Sequence, residues 1–304
     1  MSTIVVTGAT GLIGRALVAE LSGRGDEIIA LVRDTARAQQ ALGQGVRLVA
    51  WPDPSSPPDA AVLSGADAVV NLLGEPIAQR WSAAAKDRIR DSRVLGTRSL
   101  VTAIELASAP PKVLVSQSAT GYYGPRGDEE LSEESTPGSD FLAGVVRDWE
   151  AAAMAATALG VRVAVTRTGV VLSPSGGALA KMLPPFKAGV GGPVAGGRQF
   201  LPWIHLADVV GALVHCLDGE SVTGPVNVTA PAPVTNGEFS RSLGRVLHRP
   251  AFAPVPAVAL KLLYGEMAVI VLTGQRAVPR RLLEQGYAFR QPDLEPALRD
   301  VLGR

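Results

Sequence analysis

An α/β fold, doubly wound around a parallel sheet and carrying a smaller C-terminal α/β lobe, is the class this chain predicts. Three observations predict it. Strand-like apolar runs alternate with helical patterns through the first half, as in a series of βαβ units. A glycine turn, Thr7-Gly8-Ala9-Thr10-Gly11-Leu12-Ile13-Gly14, joins the first run to the first helical pattern. The 304 residues are 47% hydrophobic and 19% charged, which supplies a large core and speaks against disorder.

The opening run, Ile4-Val5-Val6, reads as a strand, and Leu12, Ala16, Leu17, Ala19 and Leu21 mark the helix behind it. Between them Gly8 allows a tight turn, Gly11 lets the backbone approach a pyrophosphate, and Gly14 lets helix and strand pack closely. The first helical amides are unpaired and carry partial positive charge, so this turn suits an anion. Strand, turn and helix in that order point to a dinucleotide and a Rossmann sheet; a purely structural glycine turn is the alternative. Further strands are expected at 27–32, 46–50, 68–73, 112–116 and 162–167. The clearest helices are at 83–107 and 141–159.

After Gly169 the composition changes. Prolines and glycines from Pro174 to Gly197 mark a loop-rich region threaded by one short amphipathic helix, and loops of that length usually serve function. Helical stretches follow at 206–217 and 236–247, and a last segment contains 269–272 and a helix at 294–302. A soft boundary near residue 170 divides an NADP-binding domain, 1–170, from a substrate-side lobe, 171–304. Elements up to about 240 cross back over it, and the final segment spans about 253–302. No internal repeat is present.

The net charge of +1 argues against nucleic acid or an anionic membrane as partner. The lone Cys216 excludes a disulfide framework and fits a reducing compartment; its apolar helical setting favours packing over reactivity. The most apolar late stretch is interrupted by Lys261 and Glu266, so no membrane span is expected. A cytoplasmic protein without a signal peptide is the expectation. The three histidines and single cysteine have no metal-ligand spacing.

The end of the second strand chooses between cofactors. An acid there binds both ribose hydroxyls of NAD, whereas an arginine suits the 2′-phosphate of NADP. Here Val32 occupies the acid position and Arg33 follows, which favours NADP. Asp34 keeps NAD open as the less favoured alternative.

Longer motifs carry a family resemblance. Besides the first turn they are Val70-Asn71-Leu72-Leu73-Gly74, Ser116-Gln117-Ser118-Ala119-Thr120-Gly121-Tyr122-Tyr123-Gly124, Arg167-Thr168-Gly169-Val170-Val171-Leu172 and Trp203-Ile204-His205-Leu206-Ala207-Asp208-Val209. Over residues 1 to about 240 the chain resembles the extended short-chain dehydrogenase/reductase superfamily, in its epimerase and dehydratase branch. More narrowly it resembles the "epimerase family protein" subgroup. That match rests on Arg80-Trp81, Ser92-Arg93-Val94, Phe141-Leu142-Ala143 with Trp149-Glu150, Leu183-Pro184-Pro185-Phe186, and the run from Leu272 to Pro279 with Gly286-Tyr287.

The resemblance implies cofactor contacts from Gly8, Thr10, Gly11, Leu12, Ile13, Gly14, Val32, Arg33, Leu72, Leu73 and Val171, with Arg93 as a cation replacing a polar group. It also implies a Tyr-x-x-x-Lys pair on the helix after the fifth strand, where lysine lowers the tyrosine pKa and a serine polarises the substrate oxygen. Ser118 matches the serine. Anchoring on Glu150 puts Leu142 and Val146 at the other two positions, and sliding by one gives Phe141 and Val145. Neither register supplies a proton donor or a cation.

Tyr122 and Tyr123 are the phenols nearest Ser118 in sequence, with packing at a strand end as their plainer reading. Arg93 faces the cofactor or an acidic substrate, or is a solvated helix residue. Arg198, Gln199, Trp203 and His205 fall in the family's substrate region, although loop packing suits Trp203 equally and a satisfied structural role suits His205. Two functions remain open. One is an NADP-dependent oxidoreductase or epimerase acting on a small carbonyl or hydroxyl compound. The other is an NADPH-binding regulatory or scaffold protein without turnover. Either is a monomer, or a homodimer through the 83–107 and 141–159 helices.

Overall fold

Seven parallel strands form the centre of the computed structural model, which describes residues 1–304. They are β1 (Thr3–Thr7), β2 (Glu27–Val32), β3 (Val46–Ala50), β4 (Ala68–Asn71), β5 (Val113–Ala119), β6 (Arg162–Thr168) and β7 (Gly224–Val228). The main helices are α1 (Leu12–Gly23), α2 (Thr35–Leu42), α3 (Ala83–Leu106), α4 (Phe141–Met154), α5 (Gly177–Lys187), α6 (Leu206–Asp218) and α7 (Asn236–Leu247). The spatial order β7-β6-β5-β4-β1-β2-β3 is that of a doubly wound sheet. Its direction of winding reverses between β1 and β4, where Thr7 pairs with Asn71, and a ligand crevice is expected outside the carboxyl ends at such a point.

Alternation along the strands divides the core. Ile4, Val6, Ile28 and Val70 turn toward Leu17 and Leu21 of α1 and Val209, Leu213 and Cys216 of α6. Val5, Ile29, Val69 and Leu114 turn the other way, toward Leu100 and Ile104 of α3 and Ala153 of α4. A third cluster lies outside the sheet: Leu179 and Phe186 of α5 pack with Phe239 and Leu243 of α7 and with Leu298 of the C-terminal helix Leu294–Leu302. No helix is long and apolar enough to cross a membrane.

Six of the strands lie where the apolar runs predict them, within a few residues at each end. The expected helix at 141–159 ends at Met154 and tightens into a 3₁₀ turn, Ala155–Leu159, closed by Gly160 at φ +78°. The seventh strand is not foreseen, because Gly224-Pro225-Val226-Asn227-Val228 reads as a turn. Proline and glycine are tolerated there because β7 is the edge of the sheet. Arg281 then covers that edge, donating from Nη1 to the carbonyls of Thr223 (2.9 Å) and Pro225 (3.0 Å).

Cys216 is fully buried on α6 and burial pushes its thiol up to about 12. The native chain should therefore react with an aromatic disulfide at pH 8 only at its unfolding rate, which a stopped assay with and without denaturant measures. Fast stoichiometric labelling of folded protein would contradict this packing. Because the fold holds the proton more tightly than the unfolded chain does, the thiol contributes stability below its ordinary pKa near 9.0, and this is lost as pH rises toward 12.

Candidate functional site

The glycine turn closes with a hydrogen bond from Gly11 N to Gly8 O of 3.0 Å. Gly8 lies at φ +64°, and a Cβ there would drive into the Leu72 carbonyl at the end of β4. A Cβ on Gly14 would collide with the Gly8 carbonyl and Ala9, so strand and helix touch through backbone. Beneath the turn, Thr7 Oγ1 donates to Asn71 Oδ1 (2.8 Å) and accepts from Leu72 N (3.1 Å). Asn71 Nδ2 in turn reaches Thr97 Oγ1 (2.8 Å) and Ser116 Oγ (3.1 Å). This buried ladder ties β1, β4, β5 and α3 together under the crevice.

The amino end of α1 carries neither a side-chain cap nor an acidic residue in its first turn, whereas α2, α3, α4, α6 and α7 are each capped by a side chain. Its first amides are left for an anion. Thr10 and Gly11 are exposed, Leu12 and Ile13 half-buried. The Leu12 side chain lies beside Gly176 and Gly177, and Gly177 also faces the Val171 carbonyl, so the loop after Leu172 bends over the start of α1. Val32 is buried at the end of β2 and Arg33 is exposed without an ion pair. Asp34 caps α2, its Oδ1 accepting from Arg37 N at 3.0 Å. Leu72 and Leu73 are half-buried past β4.

Ser118 and Tyr123 are not presented to the crevice. Ser118 is 1% exposed and its hydroxyl donates to Glu150 Oε1 at 2.5 Å. Glu150 holds a bidentate ion pair with Arg167, with Nε and Nη2 each 2.8 Å from a carboxylate oxygen. Burial opposes the Arg167 charge, but the hydrogen bonds and field of Glu150 outweigh it and raise the guanidinium above its ordinary value. Tyr123 is 0% exposed, donates to Asn227 Oδ1 (2.6 Å) and accepts from Arg167 Nη1 (3.2 Å); burial pushes its phenol up to about 12. Tyr122 is half-buried, and the Arg167 guanidinium stacks 3.4 Å above its ring. These residues form an internal polar knot rather than an open acid–base pair.

Gly121, just past β5, faces Leu142 and Val146 of α4. Of the two registers, the one anchored on Glu150 therefore turns toward the strand edge. Phe141 instead packs edge-on against Trp81, 5.2 Å between centroids. Arg93 of α3 is half-buried: Nη1 donates to Ile89 O (3.0 Å), the guanidinium lies 5.3 Å from the Trp149 ring, and it abuts Gly74 past β4. No carboxylate lies within ion-pair distance. Burial lowers it to about 10, with the field of Glu75 acting in the opposite sense.

The four residues expected in the substrate region do not converge. Arg198 is exposed, and Gln199 Nε2 bridges the carbonyls of Val194 (3.2 Å) and Val271 (2.9 Å). Trp203 is buried in the third core, its Nε1 donating to Ala232 O (3.2 Å). His205 is buried too. Its Nδ1 accepts from Ala207 N (3.1 Å), capping α6, and its Nε2 lies 2.9 Å from Asp300 Oδ2. Both are taken up by packing and capping, which their apolar neighbours in sequence foreshadow. No three His, Cys, Asp or Glu side chains cluster as metal ligands.

Sequence reasoning missed the Glu150–Arg167 pair and the Thr7–Asn71 ladder as units, since their members lie 17 and 64 residues apart. The available signal was a polar residue at the end of each of four adjacent strands.

Residues 4–228 match the NAD dependent epimerase/dehydratase family, and residues 255–301 match a domain of unknown function. The chain is 42% identical to the epimerase family protein SDR39U1 homolog, chloroplastic, of Arabidopsis thaliana, over 99% of this chain and 86% of the relative. It is 38% identical to epimerase family protein SDR39U1 of Homo sapiens, over 98% and 99%. A crystal structure of human epimerase family protein SDR39U1 with NADPH superposes with a TM-score of 0.87 at 36% identity, covering 99% of each chain. MoeE5 in complex with UDP-glucose and NAD shares the fold, with a TM-score of 0.77 at 23% identity over 97% of this chain and 96% of that one.

Proposed function

This chain belongs to the NAD dependent epimerase/dehydratase family, and from that premise we propose that it is an NADP(H)-dependent oxidoreductase or epimerase acting on a small carbonyl or hydroxyl compound. The observation that carries the reading is the bare amino end of α1 beside Gly11, where a Cβ would meet only the Gly8 carbonyl and the space beyond is open. When bound, the cofactor supplies or accepts the hydride. The chain's part is to bind and orient: α1 amides toward the diphosphate, the end of β2 toward the adenosine, and Leu72 and Leu73 past β4 toward the nicotinamide half, with Val171 and the loop over Leu12 as a cover. Arg33 is the group for a 2′-phosphate. Asp34 is unsuited to a ribose diol because its carboxylate already caps α2. NADPH is also the ligand of the human relative.

Calorimetric titration tests this. NADPH should bind at least about tenfold more tightly than NADH, and Arg33→Ser should erase the difference, since a charge-assisted phosphate contact contributes ~1.5–3 kcal/mol. Tighter NADH binding would overturn the choice of cofactor.

A second reading, binding without turnover, is favoured by Leu142 and Val146 at the strand edge and by the engagement of Ser118 with Glu150. NADPH oxidation measured over a panel of carbonyl compounds separates the two. Binding with no oxidation on any of them would select the second.

A further inference from the structure

Arg93 has no carboxylate within ion-pair distance, only the more distant field of Glu75, and the proposed function does not use it. Five N–H groups project from its guanidinium, and one protein acceptor, Ile89 O, meets them. Trp149 borders it on one side and Gly74 on another. β4 and β5 are adjacent and in register, Asn71 beside Ser116, so Gly74 and Gly121 stand at the same edge of the sheet. Over Gly121 lie Leu142 and Val146. Leu142 in turn rests on the buried cluster of Ile89, Trp81 and Met267, which backs this apolar wall from inside.

A sugar ring would bring several hydroxyls to this wall and find almost no partners for them, and an unpaired hydroxyl removed from water is unfavourable. A single anionic group on an apolar body would instead satisfy the guanidinium and cover the wall. Charge argues the same way for the cofactor. Oxidation of the nicotinamide creates a positive ring, which an unpaired guanidinium nearby disfavours until an anion stands between them.

We infer that the reacting end of the crevice takes an apolar monocarboxylate, its carboxylate held by Arg93 against Gly74 and its body against Leu142 and Val146. Arg93 thereby belongs to substrate recognition and not to the cofactor contacts expected for it. The inference rests on the reading that the nicotinamide end lies over this edge.

NADPH-loaded protein titrated with 4-phenylbutanoate, 4-phenylbutanol and UDP-glucose provides the test. The carboxylate should bind at least about tenfold more tightly than the alcohol, and UDP-glucose should not compete with it. Arg93→Met should abolish the preference, and Arg93→Lys should restore part of it, with NADPH affinity unchanged in both and folding checked by thermal melts. Equal binding of acid and alcohol, or a preference that survives in Arg93→Met, overturns the inference while leaving the cofactor reading intact. Loss of NADPH affinity in Arg93→Met also overturns it and returns Arg93 to the cofactor. Failure of the parent chain to bind NADPH at all removes the cofactor reading, and this inference with it.

Discussion

Replacing Gly11 with alanine is expected to weaken NADPH binding at least about tenfold while moving the melting temperature by no more than about 3 °C. The prediction follows from what surrounds each glycine. At Gly11 the backbone is ordinary, φ −73°, and a Cβ would meet one atom, Gly8 O at 3.2 Å, with the rest of its surroundings open. A methyl there is nearly harmless to the free chain but occupies the space a diphosphate needs to reach the α1 amides. Gly8→Ala and Gly14→Ala have a different signature. Gly8 sits in the left-handed region and would push into the Leu72 carbonyl, so strain and overpacking together cost about 2–5 kcal/mol and lower the melting temperature along with affinity. Gly14→Ala forces α1 off β1 with a similar outcome. Calorimetry paired with thermal melts on the three variants reads the two signatures apart. If Gly11→Ala binds NADPH as tightly as the parent chain, no diphosphate lies on this turn.

The doubly wound fold was legible because its signals are local. Ile4-Val5-Val6 and Ile28-Ile29-Ala30-Leu31-Val32 are buried on both faces and therefore read as continuous apolar runs, as strands of a covered parallel sheet do. The glycine turn declared itself because each of its three glycines answers a separate steric demand within eight residues. β7 was hidden, since an edge strand is allowed the proline and glycine that elsewhere signal a turn. The polar side chains were the least legible. Ser118 matches a family position, but its partner Glu150 lies 32 residues away, and nothing in the pattern of either segment says that the hydroxyl points at a carboxylate. Tyr123 and Trp203 likewise have polar atoms that sequence alone leaves free to face ligand or core. Each is settled by a long-range partner, Asn227 for Tyr123 and the Ala232 carbonyl for Trp203.

Breaking the Arg167–Glu150 pair should cost as much stability as any other single side-chain change at the site. Arg167 is 3% exposed and uses four of its five donors: two to Glu150, with Nη1 shared between the Tyr123 hydroxyl and the Glu133 carbonyl at 3.1 Å. Arg167→Met would leave the Glu150 carboxylate buried with Ser118 as its remaining partner, a loss of about 3–5 kcal/mol in denaturant unfolding. Glu150→Leu strands the guanidinium instead and should cost a similar amount. The two losses should not add. With both charges gone, Arg167→Met with Glu150→Leu recovers much of the stability, because desolvating the pair offsets most of what its attraction contributes. Ser118→Ala removes one hydrogen bond from an otherwise satisfied carboxylate and should cost only about 1–2 kcal/mol. This ordering distinguishes a serine that positions Glu150 from one that acts on substrate. A Ser118→Ala chain that folds with little loss and keeps whatever NADPH oxidation the parent shows fits the first role. A chain equally stable but inactive would mean that the hydroxyl leaves Glu150 during turnover, and the buried geometry would then describe only the resting protein.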